Sequence, residues 1–390
     1  MAAPAANPFD QLGLADLRRR QSLKWRAYPP DVLPLWVAEM DTTPAAPVRA
    51  ALQTALDLGD TGYPWGAGYV EAYVGYAAAR WGWRPDVEQV ALVADVMTGV
   101  SEVLELVLGR DGAVVVLPPV YPPFYAFAGR SGRTLVHAPL GADGRMDLAA
   151  LERAFAEATA GGRPAAVLLS NPHNPTGTVH TPAELQAVAE LADRTGVRVV
   201  VDEIHAPLTH ADAATFTPYL SVPGSERGFV VFSASKAWNL AGLKAALVVA
   251  GAGAVADLAR IPEVVSHGAS GLGVLAHTVA LTSGQDWLEE HLTALAVQRD
   301  LLGTLLADRL PDVGYRPPAA TYLAWLDCRA LGLDEEPAAF FLDQARVALS
   351  AGPDFGAEGS GFVRLNFATA TTVLTEAVER MASALAVRTR

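Results

Sequence analysis

Lys236 ends the run Phe229-Val-Val-Phe-Ser-Ala-Ser-Lys236, four apolar residues followed by two serines and a lysine. A short apolar run rich in β-branched and aromatic residues reads as a buried parallel strand. A lysine just past such a strand lies at the carboxyl edge of the sheet, where open α/β sheets bind ligands. Its amine can form a Schiff base with an aldehyde cofactor, and Ser233 and Ser235 can contact a phosphate. Asp202 and Asn174 also follow predicted strands, each about one strand–loop–helix unit from the next. A carboxylate at Asp202 can keep a pyridine nitrogen protonated, so that the ring accepts electrons from a carbanion. Asn174 can hydrogen-bond the ring's phenolic oxygen, and Tyr121 can stack on its face.

Two further groups complete this chemistry. Thr98-Gly99-Val100-Ser101 precedes an apolar run expected to be helical. Gly99, Val100 and their neighbours are therefore expected to offer backbone N–H groups to a phosphate, aided by the helix dipole. Lys244 adds a positive charge nearby in sequence, and Arg364 can grip a carboxylate with two hydrogen bonds. Each residue also has a plainer use. Asp202 can cap a helix, Tyr121 can pack in a loop, Asn174 can serve a turn, and Arg364 can form a structural ion pair.

The elements needed to position these groups are visible as strand and helix patterns. Strands are expected over 90–94, 113–117, 165–170, 197–201, 229–232 and 245–249, with helices between them. Thr181-Pro182 opens one of those helices by the N-cap and N1-proline preferences. Alternating strands and helices imply an α/β fold with a mostly parallel sheet covered on both faces. The C-terminal third changes character. Helices over 287–309, 337–349 and 373–387 surround strands over 321–326 and 362–367, which reads as a smaller α+β domain. The expected division is an N-terminal segment, 1–45, joining the small domain, a large domain over 46–284, and the small domain proper over 285–390.

Composition narrows the partners. The chain has 390 residues, 51% hydrophobic and 18% charged, which excludes general disorder. Lys and Arg number 29 against 42 Asp and Glu, a net charge of −13, and no basic block occurs, so nucleic acid is not expected. The longest uncharged apolar run, 245–256, is too short to span a bilayer. The N-terminus lacks the pattern of a signal peptide. One cysteine, Cys328, excludes an intrachain disulfide and suits a cytoplasmic setting. It lies in an apolar strand pattern and reads as core. No metal site is expected.

Taken together, these residues resemble the fold-type I pyridoxal-phosphate enzymes, the aspartate aminotransferase superfamily. The likeness is carried by Asn171-Pro-His-Asn-Pro-Thr-Gly177, Asp202-Glu-Ile-His205 and Ser233-Ala-Ser-Lys236. Within that superfamily the chain is similar to the MalY/PatB-type cystathionine β-lyases, through Leu35-Trp-Val-Ala-Glu-Met-Asp41, Pro119-Val-Tyr-Pro-Pro-Phe124 and Thr321-Tyr-Leu-Ala-Trp-Leu-Asp327. The resemblance implies a seven-stranded-type sheet in a large domain that binds pyridoxal 5'-phosphate. It implies Lys236 as the Schiff-base lysine, Asp202 at the ring nitrogen, Asn174 at the ring oxygen, Tyr121 over the ring and Arg364 on the substrate carboxylate. Trp36, Ala38 and Tyr322 are implied in the amino-acid pocket, and His205 near the cofactor. Tyr63 is implied to reach the neighbouring subunit's phosphate, hence a homodimer.

The chain departs from the wider pattern at several points. His205 stands where many aminotransferases carry Tyr, Pro207 replaces an acid common in the lyases, and Glu39 replaces a common Asp. Lys244 replaces a phosphate-binding Arg, supplying charge without the bidentate fork. The implied activity is cleavage of L-cystathionine or related S-substituted cysteines to thiol, pyruvate and ammonia. An aminotransferase makes the same first break at Cα–H and stands as the alternative. A non-catalytic regulator of the same fold is a remoter one.

Overall fold

The computed structural model describes residues 7–129 and 132–388. Most of the N-terminal stretch read above for a signal peptide lies outside the described residues. Strand β1 is Leu33–Pro34. The next seven are β2 (Val90–Val93), β3 (Ala113–Val116), β4 (Thr134–His137), β5 (Ala165–Ser170), β6 (Arg198–Asp202), β7 (Phe229–Phe232) and β8 (Ala246–Ala250). The last five are β9 (Gly314–Tyr315), β10 (Leu323–Asp327), β11 (Val347–Ala348), β12 (Ser350–Ala351) and β13 (Phe362–Asn366). The chain forms two compact units. Among the described residues, one holds 7–43, 175–177 and 288–388; the other holds 44–129, 132–174 and 178–287.

The larger unit is built on a seven-stranded sheet of order β2-β8-β7-β6-β5-β3-β4. Strands β7, β6, β5, β3 and β4 are parallel, and β8 alone runs against its neighbours β2 and β7. Strands β3, β5, β7 and β8 are buried throughout, as their apolar sequences, broken only by Ser170 at the end of β5, require in a sheet covered on both faces. The edge strand β4, with His137 and Thr134 exposed, had no clear apolar signature and was the strand missing from the sequence pattern. Helix Val96–Leu108 lays Val96, Val100, Val103 and Leu104 on the sheet beside Val231 and Val248. Helix Pro182–Thr195 starts with a capping box between Thr181 and Glu184.

The smaller unit carries a four-stranded antiparallel sheet of order β12-β13-β10-β9 and the short parallel pair β1–β11. Helices Pro337–Ala345 and Thr371–Arg388 belong to it. The first of these stops short of the expected residue 349, because Arg346 turns into a left-handed conformation with φ 56° and the chain continues as β11 and β12. Among the described residues no helix is long and apolar enough to cross a membrane.

Candidate active site

In the larger unit, the carboxyl ends of four adjacent parallel strands carry four of the expected groups. Tyr121 follows β3, Asn174 follows β5, Asp202 closes β6 and Lys236 follows β7. The register makes this edge even. Ser170 faces Asp202, Asp202 faces Val231, and the Asn171 N–H donates to the Asp202 carbonyl at 2.9 Å.

Asp202 is buried, at 4% exposure, and its Oδ1 accepts the Ile204 N–H at 3.0 Å. Burial pushes its carboxyl up to about 7, although the Ile204 N–H and the Lys236 charge pull the other way. Such a carboxylate favours a proton or a cationic partner beside it. Glu203, the next residue, points its Oε1 at the Tyr219 N–H, 2.7 Å away, and burial raises it to about 8. The loop after β5 is buried from Asn171 to His180. Burial depresses His173 to about 3 and His180 to about 4, so both imidazoles are neutral. His205 is buried as well and precedes the short helical turn Ala206–Leu208.

The lysine loop is held from several directions. The Leu240 N–H donates to Ser235 O at 2.8 Å, and the Trp238 indole N–H donates to Gly284 O at 2.9 Å. Beneath the loop, the Ala234 N–H donates to the Tyr69 hydroxyl at 3.4 Å, and that hydroxyl lies 3.1 Å from His277 Nδ1. Neither Tyr69 nor His277 stood out in the sequence, since each reads as one more residue of an apolar helix face. Ser233 braces the hairpin: its hydroxyl donates to Ala245 O at 2.8 Å and accepts the Ser235 N–H at 3.2 Å. A phosphate contact from Ser233 needs that proton to swing away from Ala245.

The expected phosphate donors need correction. Gly99 and Val100 lie inside helix Val96–Leu108 rather than ahead of it, and the Gly99 N–H donates to Asp95 O at 2.9 Å. Val100 is fully buried. What Gly99 supplies is closeness, because a Cβ there would sit 3.0 Å from Val231 and 3.1 Å from Val248 and Val93. The N–H groups left outside the internal ladder are those of Val96 and Met97; the Thr98 N–H is taken by Asp95 Oδ1 at 2.9 Å. An N-cap Asp ahead of an apolar run is the signal that would have set this boundary. Lys244 reaches the same place, its Nζ 3.1 Å from Asp95 Oδ2, because the reversed strand β8 begins at this edge. Tyr63 is 90% exposed and Trp65 84% exposed on the segment before helix Ala67–Trp81.

The expected substrate residues all fall in the smaller unit. Arg364 is central in its sheet, opposite Trp325 and Ser350, and is 6% exposed. Its guanidinium donates to Trp36 O at 3.1 Å and Ser350 Oγ at 3.2 Å, and lies 4.9 Å from the Phe355 ring. The Tyr322 hydroxyl donates to Ala38 O at 3.0 Å. Arg364 and Tyr322 thus each hold one carbonyl of the segment that carries Trp36 and Ala38. Cys328 is buried core, as its strand pattern suggested, and burial pushes its thiol up to about 12.

The larger unit's groups fit pyridoxal phosphate by their chemistry. They comprise an amine for an aldehyde, a buried carboxylate for a ring nitrogen, an amide for a ring oxygen, an aromatic face, and a helix start with a lysine for a phosphate.

A family model described as "Aminotransferase class I and II" matches residues 81–381. A Mycobacterium leprae protein named "Putative cystathionine beta-lyase" is 53% identical over 97% of this chain and 98% of its own length. The Corynebacterium glutamicum protein named "Cystathionine beta-lyase" is 32% identical over 95% of this chain and 99% of its own. A crystal structure from Corynebacterium diphtheriae, described as a "putative plp-dependent beta-cystathionase", superposes with a TM-score of 0.90 at 34% identity. It covers 96% of this chain and 98% of its own.

Proposed function

We propose that this chain, which belongs to the aminotransferase class I and II family, is a pyridoxal-phosphate-dependent carbon–sulfur β-lyase. It cleaves L-cystathionine or related S-substituted cysteines to a thiol, pyruvate and ammonia. The observation that carries the reading is the row of Tyr121, Asn174, Asp202 and Lys236 along four neighbouring strand ends. The names of the similar proteins favour the lyase over the aminotransferase.

When bound, the cofactor supplies an electron sink for the carbanion formed at the substrate's Cα. The chain's own groups do the rest. Arg364 grips the α-carboxylate, and Trp36, Ala38 and Tyr322 line the amino-acid side. Lys236 Nζ takes the α-proton as general base. The buried Asp202 carboxylate holds a proton at the ring nitrogen, and Asn174 donates to the ring oxygen. Tyr121 covers the ring, with His205 close by. The N–H groups of Val96 and Met97, with Lys244, Ser235 and Ser233, hold the phosphate. As the Cα–H bond breaks, its electron pair passes toward Cβ and the Cβ–S bond breaks, so the thiolate leaves with the sulfur electrons. The remaining three-carbon enamine is released and hydrolyses to pyruvate and ammonia.

The exposed Tyr63 and Trp65 support a homodimer in which this segment docks on a second copy and Tyr63 reaches the neighbouring phosphate. The single cysteine favours a cytoplasmic setting.

The deciding experiment is incubation of purified protein with L-cystathionine and a panel of S-substituted cysteines, with no oxo acid added. Pyruvate and free thiol in equal amounts over many turnovers are expected. Amino-group transfer that requires a 2-oxo acid, with no pyruvate, would make the protein an aminotransferase.

A further inference from the structure

The segment from Leu35 to Met40 is irregular, yet every one of its carbonyls is held. Leu35 O accepts the Asn366 N–H at 2.9 Å, and Trp36 O accepts Ser350 Oγ at 2.6 Å and Arg364 at 3.1 Å. Ala38 O accepts the Tyr322 hydroxyl at 3.0 Å, and Met40 O accepts Arg20 at 3.2 Å. Between them, Val37 O and Glu39 O both accept from Asn366 Nδ2 at 2.7 Å, and Glu39 O also accepts Lys24 Nζ at 3.1 Å. Irregular segments commonly leave such groups to water.

Asn366 is fully buried, and its carboxamide is used completely. Its Oδ1 accepts the Ala368 N–H at 2.8 Å, which fixes the orientation of the amide and directs both N–H groups to the two carbonyls. No other side chain of this size puts two donors on one side and an acceptor on the other. Asp would set a second oxygen against two carbonyl oxygens. Asn366 stands two residues after Arg364 on β13, so the two side chains share a face of the sheet. One strand therefore carries both the carboxylate grip and the clamp on Val37–Glu39. A second clamp is set under strain. Thr321, a β-branched residue, has φ 73°, and it precedes the Tyr322 that holds Ala38 O.

We propose that Asn366 is a positioning residue for amino-acid binding. It fixes the backbone of Val37–Glu39 relative to the Arg364 guanidinium, and so sets how well the substrate is held beyond its carboxylate. The inference rests on the β-lyase reading for the role of Arg364.

The test is steady-state kinetics of the holoenzyme carrying Asn366→Ala or Asn366→Asp, with cofactor affinity measured by absorbance titration. The expected result is a KM for L-cystathionine raised about tenfold or more, with kcat within about threefold, in both variants. Cofactor affinity and the cofactor's absorbance should match the wild type. An unchanged KM, or a loss confined to kcat, overturns the proposal. Should Asn366→Ala not fold, Asn366→Ser keeps a short polar side chain but cannot reach both carbonyls and must raise KM alone; a kcat-only effect there also overturns it. If the wild type yields no pyruvate, the β-lyase reading fails, and KM for the amino donor of the transamination decides Asn366 instead.

Discussion

Lys244 Nζ lies 3.1 Å from Asp95 Oδ2, while Asp95 Oδ1 caps helix Val96–Leu108 through the Thr98 N–H. The residue that stabilises the helix start thus places a negative charge where a phosphate is proposed to bind, and Lys244 offsets it. Lys244→Ala should weaken cofactor affinity by about fivefold at low salt, and less at high salt, since the pair is half-exposed and screened. Adding Asp95→Asn should recover part of the loss. Absorbance titration of the cofactor at two ionic strengths measures both, and equal affinity in all three proteins would remove the electrostatic role.

Lys236→Ala should lower kcat for pyruvate release by at least about a thousandfold, because both the attachment amine and the base are lost. Borohydride should no longer fix the cofactor covalently to the protein, as mass spectrometry would show. Turnover near the wild-type rate would move the chemistry to another group.

Asp202 makes the cofactor-free protein sensitive to pH in a definite direction. Its carboxyl rises from an ordinary 3.8 to about 7 on folding, so the folded chain binds that proton more tightly than the unfolded one. The resulting stability is complete below the unfolded value and is lost as pH rises to about 7. Asp202→Asn removes this titration. The stability of the wild type relative to the variant should therefore fall between pH 4.5 and 8, read from thermal melts of the cofactor-free proteins at roughly those limits. Parallel pH profiles would contradict it.

Gly177 has φ 67°, and a Cβ there would lie 2.3 Å from Pro318 Cβ and 2.9 Å from Ala320 O. Its carbonyl also accepts the N–H groups of Ala319 and Ala320 at 3.1 Å. Gly177→Ala should cost about 2–3 kcal/mol in urea unfolding, from both backbone strain and overlap. A loss below about half a kcal/mol would show that the segment relaxes freely.

The buried strands were legible because β3 and β7 are unbroken apolar runs, as strands covered on both faces are. Lys236, Asp202 and Asn174 were legible because a polar group just past such a strand is conspicuous. The edge strand β4 was not, since an exposed strand need not be apolar. The helix start at Val96 is hidden in the sequence because Thr98 and Gly99 look like a loop, whereas tertiary packing against Val93, Val231 and Val248 requires a glycine within the helix. The two carbonyls that Asn366 holds were beyond reach for a different reason. They lie more than three hundred residues away, and no local pattern encodes such a pairing.

The reversed strand β8 has a consequence for how this site can vary. Because β8 is antiparallel to β7, the chain turns back along the sheet edge and both lysines sit on one hairpin, tied across its base by Ser233 and Ala245. The register of β8 is set by its own pairing, Leu247 opposite Phe232 and Val248 opposite Val231, so a residue inserted or deleted between the lysines is taken up in the connection and moves one lysine relative to the other, not the strand. The distance between the two lysines is therefore written in the turns of the connection, where the Leu240 N–H meets Ser235 O and the Leu243 N–H meets Leu240 O, so a change of length there alters the site and leaves the core as it is.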